Sequence, residues 1–403
     1  MPRRGRHAAR PARKAETPLQ QLGTLRGLPR KLSQLLALGE FLDDGPLLTA
    51  PVESPPGLDI AVVKHLLAAR LEQPFEANFA SIEPAGIAAS LGQVHRATLL
   101  DGRVVAVKLQ LPELDASLRV DASALLGGPA SQRPGLDFTA YRAELLQRVE
   151  QELDYRREAE ALATFFATAG RLGVKVPRVV LELTRRDVLV MEWCEGEPFS
   201  LAREWPEAQR HEVGRTLLRF LLTSVFELGR VHADPQPGNF RFTRDADGKV
   251  GVTVLDFGSV LTLEARGRRA LMHLVAARLG ALGLTADDAL SLWVELGFNR
   301  ALLEPLKEKL ARVGEILFRP FSSAAPFDTA TWAPGRELDA LLGEDAWSFK
   351  LASPPSLLLL VRAVRGLVAY LDALQTQVSW RSLVIEALNR ATPTPRAPKR
   401  RRE

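Results

Sequence analysis

The segment from Arg230 to Leu261, RVHADPQPGNFRFTRDADGKVGVTVLDFGSVL, restricts the fold more than any other part of the chain. Asp234 and Asn239 sit in a short loop punctuated by Pro and Gly. A turn at Asp247-Gly248 leads into the β-rich run Val250–Leu255 and then Asp256-Phe257-Gly258. Two carboxylates and an amide, carried by loops at either end of a hairpin-like pair of strands, suit Mg²⁺ and a nucleotide, because that ion takes hard oxygen ligands and few of them from protein. In such an arrangement Asp234 orients a hydroxyl or a water, Asn239 and Asp256 ligate the metal, and Phe257 packs beneath the loop. Asp and Asn are also ordinary turn residues, and an isolated Asp-Phe-Gly says little. Preceded by Asp-x-x-x-x-Asn across a hairpin, it says much more.

With 403 residues, 46% of them hydrophobic, the chain can bury one large core or two lobes. Aromatics are few, whereas Leu, Ala and Arg are abundant, so a helix-rich protein is expected. The net charge of +5 comes largely from the ends, MPRRGRHAARPARK and PRAPKRRRE, which lack apolar periodicity. Residues 1–27 and 381–403 are therefore expected to be disordered basic tails. Such tails suit anionic surfaces, but no specific nucleic-acid partner is expected. Cys194 is the single cysteine, which excludes an intrachain disulfide framework and a Cys-rich zinc site. The basic start leads into no apolar stretch with a small-residue cleavage site, so secretion is not expected and a cytoplasmic location is. No window reaches the ~18 unbroken apolar residues of a membrane span. The nearest, Ser353–Ala369, is interrupted by Arg362 and Arg365 and reads as a helix buried in protein or lying at a surface.

Along the chain, Leu28–Phe41 has apolar residues at helical spacing, with Lys31 and Gln34 three apart on one face. A second helix is predicted over Asp59–Glu72 with Asp59 as N-cap. In Phe79–Leu111, Asp101-Gly102 divides Val94–Leu100 from Val104–Leu109 and marks a hairpin. Ahead of it lies an Ala/Gly loop, Ala85-Gly86-Ile87-Ala88-Ala89-Ser90, placed where a kinase carries a Gly-rich phosphate loop; alanine stiffens it and restricts backbone approach to the phosphates. Lys108 is the candidate phosphate lysine, although strand alternation also allows it to face outward. A helix is predicted over Thr139–Ala169. There Glu158 is a candidate partner for Lys108, and Asp154 or Glu152 for the phosphate side or the metal; a solvated charge-rich helix is the plainer account. A strand set is expected over 176–183 and at Val188–Trp193. At the following hinge the carbonyl of Glu192 and the N–H of Cys194 would read an adenine edge, with Met191 behind the pocket.

Beyond His211 the chain reads as mainly helical: Arg215–Leu228 ended by Gly229, then Leu263–Leu279, Leu284–Leu296 with N-cap character at Thr285, Ala301–Leu317, Glu337–Leu342 and Leu357–Leu374. No Ala-Pro-Glu element follows Gly258, which weakens any case for docking a peptide. The predicted architecture is α+β: a bilobal protein-kinase-like fold with a small β-containing N-lobe (79–196), a helical C-lobe (197–380) and an N-terminal helical extension (28–78).

From about Leu28 to Leu374 the sequence resembles the UbiB/AarF (ADCK-like) atypical kinase family. The resemblance is carried by AGIAASLGQVHRA, VAVKLQLP, QELDYRREAEALATF, HADPQPGNF and LDFGSV. It implies an alanine-rich loop at Ala88, Ala89 and Ser90, an E-x-D pair at Glu152 and Asp154, and the lysine's partner at Glu158. It also implies an extension that folds over the site and carries a K-x-G-Q motif, here Lys31-Leu32-Ser33-Gln34. Ser33 stands where the family has glycine, and Gln236 where it has histidine. Family members bind ATP with Mg²⁺, show ATPase activity and are implicated in making or handling ubiquinone and other isoprenoid lipids. The implied partners are thus a nucleotide, an isoprenoid or quinone-like lipid, a biosynthetic protein complex and the inner face of a membrane, touched peripherally. The resemblance leaves two alternatives: a protein or small-molecule kinase that transfers the γ-phosphate, and a nucleotide-binding scaffold without turnover.

Overall fold

Helix α1 (Ile60–Leu71) begins where the sequence predicts, because the Asp59 side chain accepts from the Ala61 N–H at 2.8 Å. It packs on an antiparallel sheet of β1 (Phe79–Ile82), β2 (Ile87–Ala88), β3 (Gly92–Leu99), β4 (Val104–Gln110) and β5 (Val188–Glu192). The sheet order is β1-β3-β4-β5, with β2 added on β3. This structure is a computed structural model and describes residues 58–89, 92–111, 153–354 and 356–391.

Strand alternation along β4 decides where Lys108 goes. Val105, Val107 and Leu109 share a buried cluster with Val63, Leu67 and Leu71 of α1. Ala106 packs instead with Tyr155, Ala159 and Leu162 of α2 (Tyr155–Leu172). With a helix on each face, the strand has no outward side, and Lys108 is delivered inward with its side chain only 6% exposed. The outward-facing alternative for this lysine is thereby excluded.

Two expected elements of the small lobe differ. The helix predicted over Thr139–Ala169 does not run unbroken: α2 starts at Tyr155, capped by Asp154, and ends at Gly173 in the left-handed conformation (φ 73°). Residues 139–152 lie outside the described set. The strand expected over 176–183 is replaced by an isolated bridge from Val179 to Met191 and a 3₁₀ turn at Leu181–Leu183. Pro177 has no N–H to offer a ladder, which fits this interruption.

The large lobe is built on α3 (Glu207–Thr223), which widens into a π turn at Ser224–Leu228 and stops at Gly229 (φ 64°). It hands the chain to β6 (Arg230–His232), which pairs with β9 (Val260–Thr262). Between them, β7 (Phe240–Arg244) and β8 (Val250–Val254) form the predicted hairpin, turning at Asp245, whose side chain accepts from the Asp247 and Lys249 N–H groups. The chain enters α4 (Ala265–Arg278) directly after β9. Helix α5 (Ala286–Glu295) opens with a capping box between Thr285 and Asp288. The helix predicted over Ala301–Leu317 is split into Arg300–Leu303 and α6 (Lys307–Leu317) by a 3₁₀ turn containing Pro305. Phe318–Trp332 resolves into two 3₁₀ turns, Arg319–Phe321 and Thr329–Thr331. Then come α7 (Pro334–Leu342), α8 (Leu357–Ala373) and α9 (Trp380–Ala391).

Helix α9 corrects the predicted end of the large lobe at residue 380. Its Leu383, Val384 and Ala387 are buried. Arg390 Nε donates to Glu227 Oε1 at 2.6 Å, tying the helix to the π turn. The basic composition of the end masked this periodicity. The whole is an α+β bilobal kinase-like fold, with an antiparallel sheet in one lobe and helices in the other.

Candidate active site

At the small-lobe end, Lys108 Nζ donates to both oxygens of Glu158, at 3.0 and 2.9 Å, and to Asp256 Oδ2 at 3.0 Å. Its three donors are thus spread over two carboxylates, one from α2 and one from the Asp-Phe-Gly turn. Burial alone would pull the lysine down, but Asp256 and Glu158 outweigh it and hold Lys108 well above its ordinary value. The ring of Tyr155 lies 5.0 Å from Nζ, and its phenol is raised, chiefly by burial.

The Asp-Phe-Gly turn is fixed from three sides. Asp256 Oδ1 accepts from the Gly258 N–H at 2.9 Å. Phe257 is buried against Phe165 of α2, with centroids 4.6 Å apart, and edge-on to His232 at 5.1 Å. His232 Nε2 donates to the Asp256 carbonyl at 2.5 Å. Burial holds this imidazole below its usual range, so it is neutral near pH 7. Sequence reasoning passed over His232; its signal was a histidine two residues before an acid in a short loop.

Asp234 and Asn239 meet in the loop before β7. Asn239 Nδ2 donates to Asp234 Oδ2 at 2.9 Å and to the Asp234 carbonyl at 3.2 Å, which leaves the amide oxygen for another ligand. The Leu255 N–H donates to the Asn239 carbonyl at 2.9 Å, so Asn239 and Asp256 stand side by side at the open end of the β7–β8 hairpin. The other oxygen of Asp234, Oδ1, accepts from Arg362 Nη2 at 2.5 Å. Arg362 lies on α8, where Gly366 faces Pro235 and buried Tyr370 sits edge-on to Phe240. The sequence showed Arg362 only as an interruption of an apolar run; its role was unread, although a charge among buried leucines requires a partner.

A family model for the ABC1 atypical kinase-like domain matches residues 53–280, more than half of the chain. The chain belongs to this family. Among its relatives is the rat (Rattus norvegicus) mitochondrial atypical kinase COQ8B, 30% identical over 343 residues, covering 81% of this chain and 63% of that one. An uncharacterized chloroplastic aarF domain-containing protein kinase of Arabidopsis thaliana is 32% identical over 335 residues, covering 80% of this chain and 45% of the relative. The chain therefore spans less than two thirds of the length of these relatives. Among solved structures, the Rv3197–erythromycin complex from Mycobacterium tuberculosis aligns with a TM-score of 0.59 and 25% identity over 93% of this chain and 95% of that one.

The remaining ABC1-type positions fall as follows. In the alanine-rich segment β2 pairs Ile87 with Val94 and Ala88 with Gln93, and the Ala89 N–H donates to the Gly92 carbonyl at 2.9 Å. A Cβ on Gly92 would lie 1.9 Å from the Leu109 carbonyl oxygen, so only glycine fits there. At the hinge, Met191 is buried and pairs with Ala106, while the Trp193 N–H donates to the Val104 carbonyl at 3.1 Å. Trp193 Nε1 donates to Glu195 and its ring lies 5.8 Å from the Arg96 guanidinium. Lys175 pairs with the Glu192 side chain at 2.7 Å. Burial pushes the Cys194 thiol up to about 11 against the pull of Lys175. The Asp154 carboxylate accepts from the Arg156 backbone N–H at 3.1 Å and from the Arg156 guanidinium at 2.9 and 2.7 Å. Lys31, Gln34, Ser90 and Glu152 lie outside the described residues.

The donors fit Mg²⁺ rather than a softer ion. Asp256 and the free amide oxygen of Asn239 are hard oxygens in the number Mg²⁺ takes from protein when phosphates and water complete its shell. Among the described residues no group of three His, Cys, Asp or Glu could cage a metal without such help.

Proposed function

We propose that this chain is an atypical kinase-fold ATPase that uses Mg-ATP in the making or handling of isoprenoid or quinone-like lipids. The observation that carries the reading is the Lys108–Glu158–Asp256 cluster, in which one buried cation is shared between a helix carboxylate and the Asp-Phe-Gly carboxylate. Glu158 holds Lys108 in place, and Lys108 turns from Asp256 toward phosphate oxygens when nucleotide enters. Asp256 and Asn239 hold Mg²⁺, which supplies charge neutralisation at the phosphates when bound. Asp234 positions the attacking water or hydroxyl. Catalysis of this kind is mostly positioning and charge stabilisation.

The lipid context is supported by the resemblance to ABC1-type kinases, with partners of the same kind: a quinone-like lipid, a biosynthetic complex and peripheral contact with a membrane face. Among the described residues no helix is long and apolar enough to cross a membrane. The decisive experiment measures Mg-dependent nucleotide binding and phosphate release, with and without quinone-like lipids, in wild type and Asp256→Asn. Wild type is expected to bind and release phosphate, and the variant to lose release. A wild type that binds no Mg-nucleotide under any condition sinks the proposal. Labelled γ-phosphate appearing on an added lipid or protein would instead make it a transferase. Vesicle flotation with and without residues 1–27 tests the membrane contact.

A further inference from the structure

Three residues of α8 at helical spacing, Arg362, Gly366 and Tyr370, form one stripe laid along the Asp234 loop. Arg362 Nη2 meets Asp234 Oδ1 at 2.5 Å, with side chains only 10% and 16% exposed. Gly366 is the seat: a Cβ there would lie 2.1 Å from Pro235 Cβ and 2.3 Å from its Cγ, so any other residue pushes the helix off the loop. Tyr370 is locked edge-on between Phe199, at 4.5 Å, and Phe240, at 5.5 Å, and fixes the helix along its axis.

We infer that Arg362 is a positioning residue for the site, acting through Asp234 on Asn239, and that Gly366 is what lets it reach. This rests on the nucleotide chemistry proposed above. The two oxygens of Asp234 are divided between two donors, Arg362 on Oδ1 and the Asn239 amide on Oδ2. A carboxylate held at both oxygens cannot rotate about its last bond. An Asn whose N–H₂ is held by that carboxylate must present its oxygen the other way, toward the metal side. Without Arg362 the carboxylate is held at one oxygen only, the amide loses its fixed orientation, and both the nucleophile-side and metal-side groups drift. The helix that brings this guanidinium belongs to the part of the chain after residue 280, beyond the family match at 53–280.

The test uses the full chain. Arg362→Met is expected to lower kcat for phosphate release by about 10- to 100-fold, the scale of a small misplacement of reacting groups. KM for nucleotide should stay within about threefold, while the Mg²⁺ concentration giving half-saturation should rise several-fold. Arg362→Lys should recover most of the lost rate, and Gly366→Ala should reproduce the loss without removing any charge. An active wild type whose Arg362→Met and Gly366→Ala variants keep kcat and Mg²⁺ dependence within twofold would overturn the inference. A purely structural role would lower Tm in all three variants and leave kcat at 25 °C unchanged. If wild type itself neither binds nor turns over nucleotide, the proposed function fails, but this inference is still decided by thermal unfolding. Arg362→Met and Asn239→Ala then shift Tm non-additively if Asp234 links them, and additive shifts refute the link.

Discussion

The two ion clusters of the site are built around opposite charges. At the small-lobe end the buried cation Lys108 divides its donors between two carboxylates, Glu158 and Asp256. At the other end one carboxylate, Asp234, is matched by one guanidinium, Arg362, and by a neutral amide. The first is centred on a cation held by carboxylates from two elements, the second on a carboxylate held by two donors. Deleting the cation therefore acts at the centre of one cluster and at the edge of the other.

That contrast can be broken first by deleting each cation. Lys108→Met takes the shared buried cation away from Glu158 and Asp256 and should cost about 3–5 kcal/mol in urea unfolding, with part regained on adding Mg²⁺. Arg362→Met leaves Asp234 its amide partner and some access to water, so about 1–2 kcal/mol is expected, with no Mg²⁺ recovery. Equal losses, or equal responses to Mg²⁺, would erase the distinction.

The hinge gives a second measure, free of either ion cluster. With its thiol near 11, Cys194 should be alkylated at pH 8 about 100-fold more slowly in the folded chain than in urea, and more slowly again with Mg-nucleotide bound. Fast native alkylation would mean that the small lobe opens far more readily than its packing implies.

Alkaline pH sharpens the first cluster further. Because the folded value of Lys108 is raised, its stabilisation is fully present below the unfolded value near 10.5 and falls as pH rises toward the folded one. The slope is at most about 1.4 kcal/mol per pH unit. Subtracting the Lys108→Met profile should isolate this component, and identical profiles would refute it. The smallest effect serves as a control. Thr285→Ala removes the α5 capping box and should cost about 1 kcal/mol by urea unfolding while leaving phosphate release untouched.

Much of this was legible from residue types at fixed spacing. Asp234, Asn239 and Asp256 announced themselves because turn residues bracket a β hairpin, and the Asp59 and Thr285 caps because local hydrogen bonding fixes where a helix begins. Lys108 was ambiguous, since alternation assigns a strand residue to one face but does not say what covers that face; α1 and α2 together settle it. Arg362 was beyond reach. Its partner is 128 residues away, and nothing near it in the sequence differs from any amphipathic helix. Asp154 was read within a continuous helix, whereas it stands just before α2 and satisfies its first turn. The C-terminal boundary was misjudged because basic residues hid the apolar stripe of α9.

Trp193 carries a consequence of another kind. Its indole has a guanidinium near its ring and a carboxylate on its N–H. Of the six tryptophans, Trp205, Trp293 and Trp380 are sealed in the large-lobe core and should emit steadily. The Trp193 indole should not: two charged side chains hold it, so its emission should shift as salt screens those contacts. The protein thus has an optical gauge of this ion contact, readable without a label in a cuvette.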